Sequence, residues 1–401
     1  MLAVCALKQA AMLFDSTNFG LYNVVKRYIT LINYPLLMGL GISIPIYVAM
    51  MYQSKTSQAV VITTGFFWWV LVTLFLSLLN MLLPGKITYF ILGKGYEYLS
   101  WSVLFGFSSL YLYTILYATY RGEQNFGKAN ILQVISAGIL PLIALYFSNG
   151  IVELYFQLYS LFMLTVNIAV LGDLYKRKLI IKISTNELLS SSKQFIKFGL
   201  PRVPGEFALF GLMSCPLFFI AKYDSLEMAG YVAIGFTLVQ LVASFFEFIG
   251  ILMLPKSAQL IADQQYFRIN QLVRKLTLFS FIAASLISSI MYFNLDFILG
   301  LLDKSKFLSH LEYTKIIIIC IPFYIIYLII RNPQDALSIK PFNTFNLTFC
   351  FLVQLIFLFI SINTDLTKKI LLYHLAIIIP FVLLGILTFI TWDTQISKRI
   401  V

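Results

Sequence analysis

Residues 196–212 read IKFGLPRVPGEFALFGL, and this stretch decides how the chain is interpreted. It begins an apolar run long enough to cross a membrane, yet beyond Lys197 at its start the run contains two prolines and two further charged residues. Proline removes a backbone donor and crowds the preceding turn, so the helix is expected to be kinked or locally broken here. We therefore predict a hinge at Pro201, Pro204 and Gly205.

The same stretch places two ionisable side chains inside a span. Such a side chain costs ~2.5–3.5 kcal/mol at the membrane centre and usually faces a polar interior or a partner. Arg202 and Glu206 are four residues apart and share one helix face. One interpretation is that Arg202 binds an anionic substrate group while Glu206 tunes it or takes a coupling proton. The alternative is an ion pair that neutralises itself across one helical turn.

The composition indicates an all-α polytopic membrane protein. Of the 401 residues, 60% are hydrophobic and 11% are charged, a balance that soluble globular domains do not need. Uncharged windows and three charge-bearing runs each approach the ~17–25 residues that cross a bilayer, and together they predict twelve spans. The windows are 28–54, 56–85, 98–120, 129–152, 154–172, 228–246, 276–295, 341–364 and 370–392, and the charged runs lie near 1–14, 196–221 and 312–330.

The formal net charge of +12 also invites a nucleic-acid-binding interpretation, which we reject. The lysines and arginines are spread over short loops between spans and form no compact basic domain. Their distribution fits the positive-inside rule, with the densest cluster at residues 176–178 and with Arg331 assigned to another cytoplasmic loop. Both termini are therefore predicted to be cytoplasmic.

An internal repeat divides the chain. F-D-S at 14–16 followed by G-L-Y at 20–22 is echoed by Y-D-S at 223–225 followed by G-Y at 230–231, an offset of 209–210 residues. Two halves of equal span count and equal orientation are related by an axis along the membrane normal.

The repeat predicts an N-terminal six-helix lobe at 1–172, a cytoplasmic linker at 173–195 and a C-terminal six-helix lobe at 196–401. In the second half, the span before the repeated turn starts near Ser192. Its counterpart would start before Met1, so helix 1 is expected to be truncated.

Further basic residues are candidates for substrate binding. Lys26 and Arg27 either snorkel to the outer interface or, if their span begins at Gly20, lie more than one turn inside and line a cavity. Lys8 and Lys315 occupy comparable places in spans one and ten. Together these side chains would make a cationic interior that suits a diphosphate-bearing substrate.

Two other titratable residues lie inside spans. Glu247 is deep in the eighth span, where an unpaired carboxylate could carry a coupling proton, and pairing with Arg202 is an equal alternative. His374 is expected to be a hydrogen-bonded packing residue. Because the histidines are isolated and no phosphate-cradling glycine loop is found, we expect no metal, no cofactor and no enzymatic activity.

Several short motifs occur in an order that resembles a known family. The motifs extend over the whole chain. Their order resembles that in the polysaccharide-transporter branch (O-antigen and capsule repeat-unit flippases) of the multidrug/oligosaccharidyl-lipid/polysaccharide exporter superfamily. The motifs are F-G-L-Y at 19–22, Y-R-G at 120–122 with Phe126 and A-N at 129–130, G-L-P-R-V-P-G at 199–205, G-Y at 230–231 and L-P at 254–255.

The resemblance implies a MATE-like fold of two lobes around a V-shaped cavity. It also implies movement of undecaprenyl-diphosphate-linked oligosaccharide, a precursor of O-antigen lipopolysaccharide or capsule, across a bacterial inner membrane. Arg202 matches the basic residue of the family's L-P-R-x-P-G run. A polysaccharide polymerase and a chain-length regulator are the partners that the family implies.

Three alternatives stay open at this point. Two are exporters of the same superfamily, for multiple drugs or for lipid II. The third is a membrane glycosyltransferase or polysaccharide polymerase, which would need a large outer loop or clustered carboxylates to position sugars.

Overall fold

The computed structural model describes residues 2–51, 54–303, 311–337 and 342–400, and nearly all of them are helical, with no β-strand in these ranges. The helices are α1 Leu2–Leu13, α2 Ser16–Leu37, α3 Leu40–Met50, α4 Lys55–Leu82, α5 Lys86–Leu92, α6 Ser100–Gly122, α7 Phe126–Val134, α8 Leu140–Phe147, α9 Val152–Lys176, α10 Thr185–Gly199, α11 Val203–Tyr223, α12 Leu226–Ala262, α13 Tyr266–Phe293, α14 Leu295–Asp303, α15 Leu311–Ile319, α16 Ile321–Leu337, α17 Phe342–Ser361 and α18 Leu366–Ile400.

The predicted multi-pass helical architecture is confirmed, and every predicted span corresponds to a helical segment. Ten helical segments within the described ranges are long and apolar enough to cross a membrane, and the bent pair α2–α3 makes an eleventh. The run predicted at 1–14 forms α1, which has 12 residues. At ~1.5 Å per residue it is roughly 18 Å long, less than the ~30 Å of a hydrocarbon core.

Large apolar side chains cover the outer faces of the spans. Phe293 is 83% exposed, and Phe90, Leu74 and Phe345 are also mostly exposed. Apolar surface of this extent is unfavourable in water, and it matches a surface that is solvated by acyl chains.

The chain forms two compact units, Met1–Phe207 and Ala208–Val401, and the boundary falls inside α11. The lobes predicted at 1–172 and 196–401 stay a prediction, as does the linker at 173–195. Much of that linker is helical, because α9 extends to Lys176 and α10 begins at Thr185. A capping box of Ser184 and Glu187 starts α10, and it satisfies two amides that a helix N-terminus otherwise leaves unpaired.

One helix is central in each unit. In the N-terminal unit α6 packs against α2, α3, α4 and α9, and in the C-terminal unit α16 packs against α12, α13 and α18. Small residues on α6 permit this close approach. A Cβ on Gly122, for example, would lie 2.9 Å from the Cα of Pro45.

The repeated turn has the same structural role in both halves. α2 begins at Ser16 after the N-cap Asp15, and α12 begins at Leu226 after the N-cap Ser225. The two helix starts are 210 residues apart, in agreement with the offset read from the sequence.

Candidate functional site

The second span of the N-terminal unit is a discontinuous helix. α2 and α3 meet at an angle of 51°, and the two residues between them, Met38 and Gly39, have positive φ angles of 47° and 79°. Pro35 lies in the last turn of α2, where it can give no amide hydrogen to the helix. Interrupted spans leave helix-terminal amides and carbonyls available within the membrane, and transporters build binding sites from such groups.

This break lies directly against the stretch quoted first. A Cβ added to Gly39 would be 2.4 Å from the Cα of Gly199, and a Cβ added to Gly199 would be 2.4 Å from the carbonyl oxygen of Met38. The two backbones therefore touch, and both positions require glycine. We call residues 38, 39 and 199 the glycine junction.

Aromatic and polar contacts support the junction from both sides. Trp68 on α4 donates its indole N–H to the hydroxyl of Ser192 on α10 at 3.0 Å. The ring of Tyr47 on α3 packs 6.0 Å from the rings of Phe195 and Phe198. The start of α10–α11 is thus held against α3 and α4 by specific contacts.

The predicted hinge residues lie where the helix changes its geometry. Leu200–Arg202 forms one turn of 3-10 helix between α10 and α11, and Pro204 and Gly205 lie in the first turn of α11. The run Thr185–Tyr223 nevertheless passes as one helical segment, so the prolines tighten one turn without breaking the span. That Pro201, Pro204 and Gly205 act as a hinge stays a prediction.

Arg202 is exposed and is oriented by its own helix. Its Nη1 donates to the carbonyl oxygen of Phe198 at 2.8 Å, and its guanidinium lies 4.0 Å from the centre of the Phe198 ring. A guanidinium carries five N–H donors in a planar fork, so this arrangement leaves donors for an anionic ligand. Glu206, one turn further on, is partly buried.

Lys26 and Arg27 lie well inside their span. Because α2 begins at Ser16, they are roughly 15 Å along the helix at ~1.5 Å per residue. Cavity lining and substrate binding by Lys26 and Arg27 stay predictions. Lys26 is exposed, with its Nζ 5.8 Å from the centre of the Tyr22 ring, and Arg27 is partly buried.

The other two predicted basic residues lie elsewhere. Lys8 is exposed on α1. Lys315 belongs to the C-terminal unit, where it is partly buried on α15 with its Nζ 5.5 Å from the centre of the Tyr292 ring on α13. Substrate binding by Lys8 and Lys315 stays a prediction.

Glu247 has a partner that sequence reasoning missed. Its Oε1 lies 3.4 Å from Nη2 of Arg331, within the C-terminal unit, and the alternative pairing with Arg202 stays a prediction. The sequence assigns Arg331 to a loop, but in the structure it lies within α16, which continues through Pro333 to Leu337. Its cytoplasmic side stays a prediction, and Glu247 and Tyr327 lie beside it in the same unit.

More polar groups surround this pair. The side-chain amide of Asn343 donates to the carbonyl oxygen of Arg331 at 2.9 Å and to Oδ1 of Asp335 at 2.7 Å, and the Arg331 guanidinium lies 5.9 Å from the Tyr327 ring centre. We call Glu247, Arg331, Asp335 and Asn343 the Arg331 cluster. With two carboxylates and one guanidinium it can attract a cation or accept a proton.

A sequence signal could have found Arg331. R-G at 121–122 and R-N at 331–332 are 210 residues apart, which is the repeat offset. Within the described residues, no three His, Cys, Asp or Glu side chains converge closely enough to hold a metal ion.

The N-terminal unit also contains a polar cavity of about 580 Å³. It lies where α3, α6 and α9 end, and Lys55, Glu123 and Arg177 are among its lining residues. Glu123 and Arg177 form an ion pair, and Asp173 of α9 accepts from Lys128 at 2.9 Å. The cavity lining thus carries two cations and one carboxylate, a grouping that the sequence patterns did not indicate.

Comparison with known proteins identifies the fold. The MatE family model matches residues 205–360, which contain the Arg331 cluster. An inward-facing multidrug resistance MATE family transporter of the MOP superfamily superimposes with a TM-score of 0.76 at 13% identity, covering 100% of this chain and 95% of that one. No curated protein sequence matches the chain.

Two further solved structures agree. An outward-facing multidrug resistance MATE transporter gives a TM-score of 0.61 at 13% identity over 98% of this chain and 96% of that one. A MOP superfamily transporter from Pyrococcus furiosus Vc1 superimposes with a TM-score of 0.59 at 12% identity, covering 99% of this chain and 95% of that one. The reversed polarity of that protein's binding pocket is described as suggesting a different function. The chain is thus a multi-pass membrane protein with the fold of MATE transporters.

Proposed function

We propose that this chain is a secondary transporter that exports its substrate by alternating access. The observation that carries the proposal is the similarity along the whole chain to MATE transporter structures. The discontinuous span α2–α3 supports it, because interrupted helices are a recurrent feature of transporter binding sites. Energy would come from an ion gradient, for which Glu247 of the Arg331 cluster is a candidate proton or cation acceptor.

The comparisons favour a multidrug-type substrate. Two of the similar structures are multidrug resistance transporters, and an exporter of this type binds organic, often cationic, molecules through aromatic and acidic surfaces. In this chain Glu247 of the Arg331 cluster is a partly exposed carboxylate that would take this role, and the buried Tyr324 and Tyr327 stack 6.1 Å apart on the neighbouring α16.

A lipid-linked oligosaccharide is the second candidate substrate. The exposed guanidinium of Arg202 and the cations Lys26 and Arg27, far inside α2, favour it, because a diphosphate is bound best by charge-assisted hydrogen bonds. The similar transporter of reversed pocket polarity shows that the fold accommodates different pocket charges. The sugars would then pass through a polar path while the lipid tail stays in hydrocarbon.

One experiment separates the two candidates. Purified protein in proteoliposomes is offered either a fluorescent organic cation or a short-chain polyprenyl-diphosphate oligosaccharide, each with an imposed proton or sodium gradient. Transport of the cation supports the multidrug candidate, and transport of the diphosphate supports the flippase candidate. Transport of neither under any gradient would contradict an export function.

Arg202→Ala tests the anionic candidate within the same assay. We expect diphosphate transport to fall by at least tenfold while cation transport is unchanged. In cells, lipid-linked units should accumulate on the inner face and surface polysaccharide should stop. Arg274→Ala is the matched control, because Arg274 is an exposed arginine paired with Asp393. Equal transport by both variants would remove Arg202 from substrate binding.

The cellular setting follows from the same proposal. We place the protein in a bacterial inner membrane with both termini in the cytoplasm, as the charge distribution predicts. A polysaccharide polymerase and a chain-length regulator would be partners under the flippase candidate.

A further inference from the structure

A cluster of buried polar side chains, which we call the Asp224 pocket, lies at the turn between α11 and α12, apart from the Arg331 cluster. Asp224 in this turn has a side chain that is 13% exposed, and its Oδ1 is 4.0 Å from Nζ of Lys369, which is 14% exposed. Lys369 also donates to the carbonyl oxygen of Tyr223 at 2.7 Å. Burial raises the pKa of Asp224, and the Lys369 ammonium partly opposes that rise.

Several polar atoms in this pocket are buried without a hydrogen-bond partner within the described residues. They are Oδ2 of Asp224, the hydroxyl of Tyr313 and Nε2 of His374. The rings of Tyr313 and His374 pack edge to face at 5.1 Å, so the packing role predicted for His374 is confirmed, but the described residues give its Nε2 no hydrogen bond. Buried polar atoms are almost always satisfied by protein or by ordered water, so this pocket needs water or a shared proton.

The pocket gathers titratable groups from three helices. α11 contributes Tyr223, α15 contributes Glu312 and Tyr313, and α18 contributes Lys369, Tyr373 and His374. The charge of Asp224 acts on both Tyr313 and Tyr373, and the charge of Glu312 acts on Tyr313 and His374. Lys369 is therefore the group that favours the ionised form of Asp224.

The corresponding turn of the N-terminal half uses its aspartate differently, as a helix cap. Asp15 is exposed, and both of its carboxylate oxygens accept from Asn18, at 2.7 and 3.3 Å. In the C-terminal half the cap is one residue later, at Ser225, which accepts from the amide of Met228 at 3.1 Å. Asp224 is thereby released from capping and turns its carboxylate into the unit.

We propose that Asp224 binds an exchangeable proton in a hydrated pocket that it forms with Tyr313, Tyr373 and His374. The proton comes from the aqueous phase that the turn faces, and it adds to a carboxylate oxygen of Asp224. The carboxyl group is then neutral, and Lys369 keeps its cationic charge and its bond to the Tyr223 carbonyl. Two interactions join the α11–α12 turn to α18, the Asp224–Lys369 ion pair and the Lys369 bond to the Tyr223 carbonyl. Protonation therefore removes the ion pair and leaves the hydrogen bond.

A role of this proton in transport rests on the proposed function, but its binding does not. The test is infrared difference spectroscopy of the purified protein between acidic and neutral pH. We expect a protonated-carboxyl band that titrates with a midpoint above the ordinary aspartate value of ~3.9 and that disappears in Asp224→Asn. The matched control Asp15→Asn should keep the band.

A second variant keeps the proposal falsifiable if Asp224→Asn does not fold. Lys369→Met should move the midpoint of the same band to higher pH, because it removes the charge that favours the carboxylate. A band that survives in Asp224→Asn, or a midpoint that does not move in Lys369→Met, would overturn the proposal.

Stability gives an independent readout with a defined sign. Because the folded-state pKa of Asp224 is raised, the folded protein binds the proton more tightly than the unfolded chain does. The free energy of unfolding therefore falls as the pH rises from ~3.9 through the folded-state pKa. Asp224→Asn should flatten that fall, whereas Asp15→Asn should keep it. An identical pH profile in wild type and Asp224→Asn would count against the site.

The transport arm distinguishes failure of this site from failure of the proposed function. In proteoliposomes, Asp224→Asn should lose the pH dependence of export, and Asp15→Asn should keep it. Titration of Asp224 without export by any variant would contradict the proposed function and support the proton site. Export whose pH profile is unchanged in Asp224→Asn would contradict coupling through this site.

Discussion

The broken span α2–α3 and its counterpart α12 start from equivalent turns and then differ. α12 runs continuously for 37 residues, whereas α2 ends at Leu37 and the chain turns by 51° before α3. Pro45 and Pro255 are 210 residues apart, so both the broken span and the continuous α12 contain a proline at this equivalent position. At the same offset, Pro35 corresponds to Phe245, and only the N-terminal unit combines this proline with the glycine junction. Pro35 and the backbone contact at Gly199 are therefore the two features that distinguish the broken span, and variants at each position separate their contributions.

The largest expected effect breaks the junction. Gly199→Val would place side-chain atoms on the carbonyl of Met38, where even a Cβ would be 2.4 Å away. Overpacking of this kind costs ~1–3 kcal/mol, and more where the backbone must move. We therefore expect Gly199→Val to lower the free energy of unfolding by about 3 kcal/mol. Denaturant titration in detergent micelles measures it.

Gly41→Ala is the matched control for this prediction. Gly41 lies two residues beyond the break, and its added Cβ would meet Thr114 at 3.4 Å, an ordinary contact. A Gly199→Val variant as stable as Gly41→Ala would show that the junction is not tightly packed.

A smaller loss of stability is expected from a change at the ion pair of α12, which has no equivalent in the broken span. At the repeat offset Glu247 corresponds to Leu37, which is buried. Arg331→Ala leaves Glu247 without its partner, and we expect a loss of about 1–3 kcal/mol, since hydrogen bonds to charged groups contribute at this level. Thermal unfolding measures it, with the exposed Arg274→Ala, expected at ~0–1 kcal/mol, as control.

The two starting turns should respond alike to loss of their caps. Asp15→Ala and Ser225→Ala each remove a side-chain oxygen that accepts a helix amide, which typically costs ~1 kcal/mol. Thermal unfolding of the two variants should give similar losses. A much larger loss in one of them would mean that the turns are not structurally equivalent.

The smallest expected effect concerns the proline itself. If backbone contact at Gly199 holds the bend, Pro35→Ala should change stability by less than about 1 kcal/mol, because the replacement fits a helix and the left-handed residues after it are unchanged. Distances between spin labels on α2 and α3 should keep the bend. Straightening of the span would assign the break to Pro35.

The fold class could be predicted from the sequence, and the same reasoning named candidate site residues. Apolar windows identified most spans, and the membrane cost of a buried charge singled out Arg202 and Glu247. The partner of Glu247 could not be found in this way, because hydropathy windows end a span at a charge, and Arg331 lies inside α16 beside Glu247.

By itself, the sequence determined a multi-pass helical chain with a repeat of about 210 residues, because apolar run length and a recurring turn are local properties. Tertiary structure alone decided which residues share a site. The contact of Gly39 with Gly199, the pairing of Glu247 with Arg331 and the burial of Asp224 each join segments that are far apart in the chain. Such contacts depend on helix packing, which brings backbone and charge together where no local pattern records it.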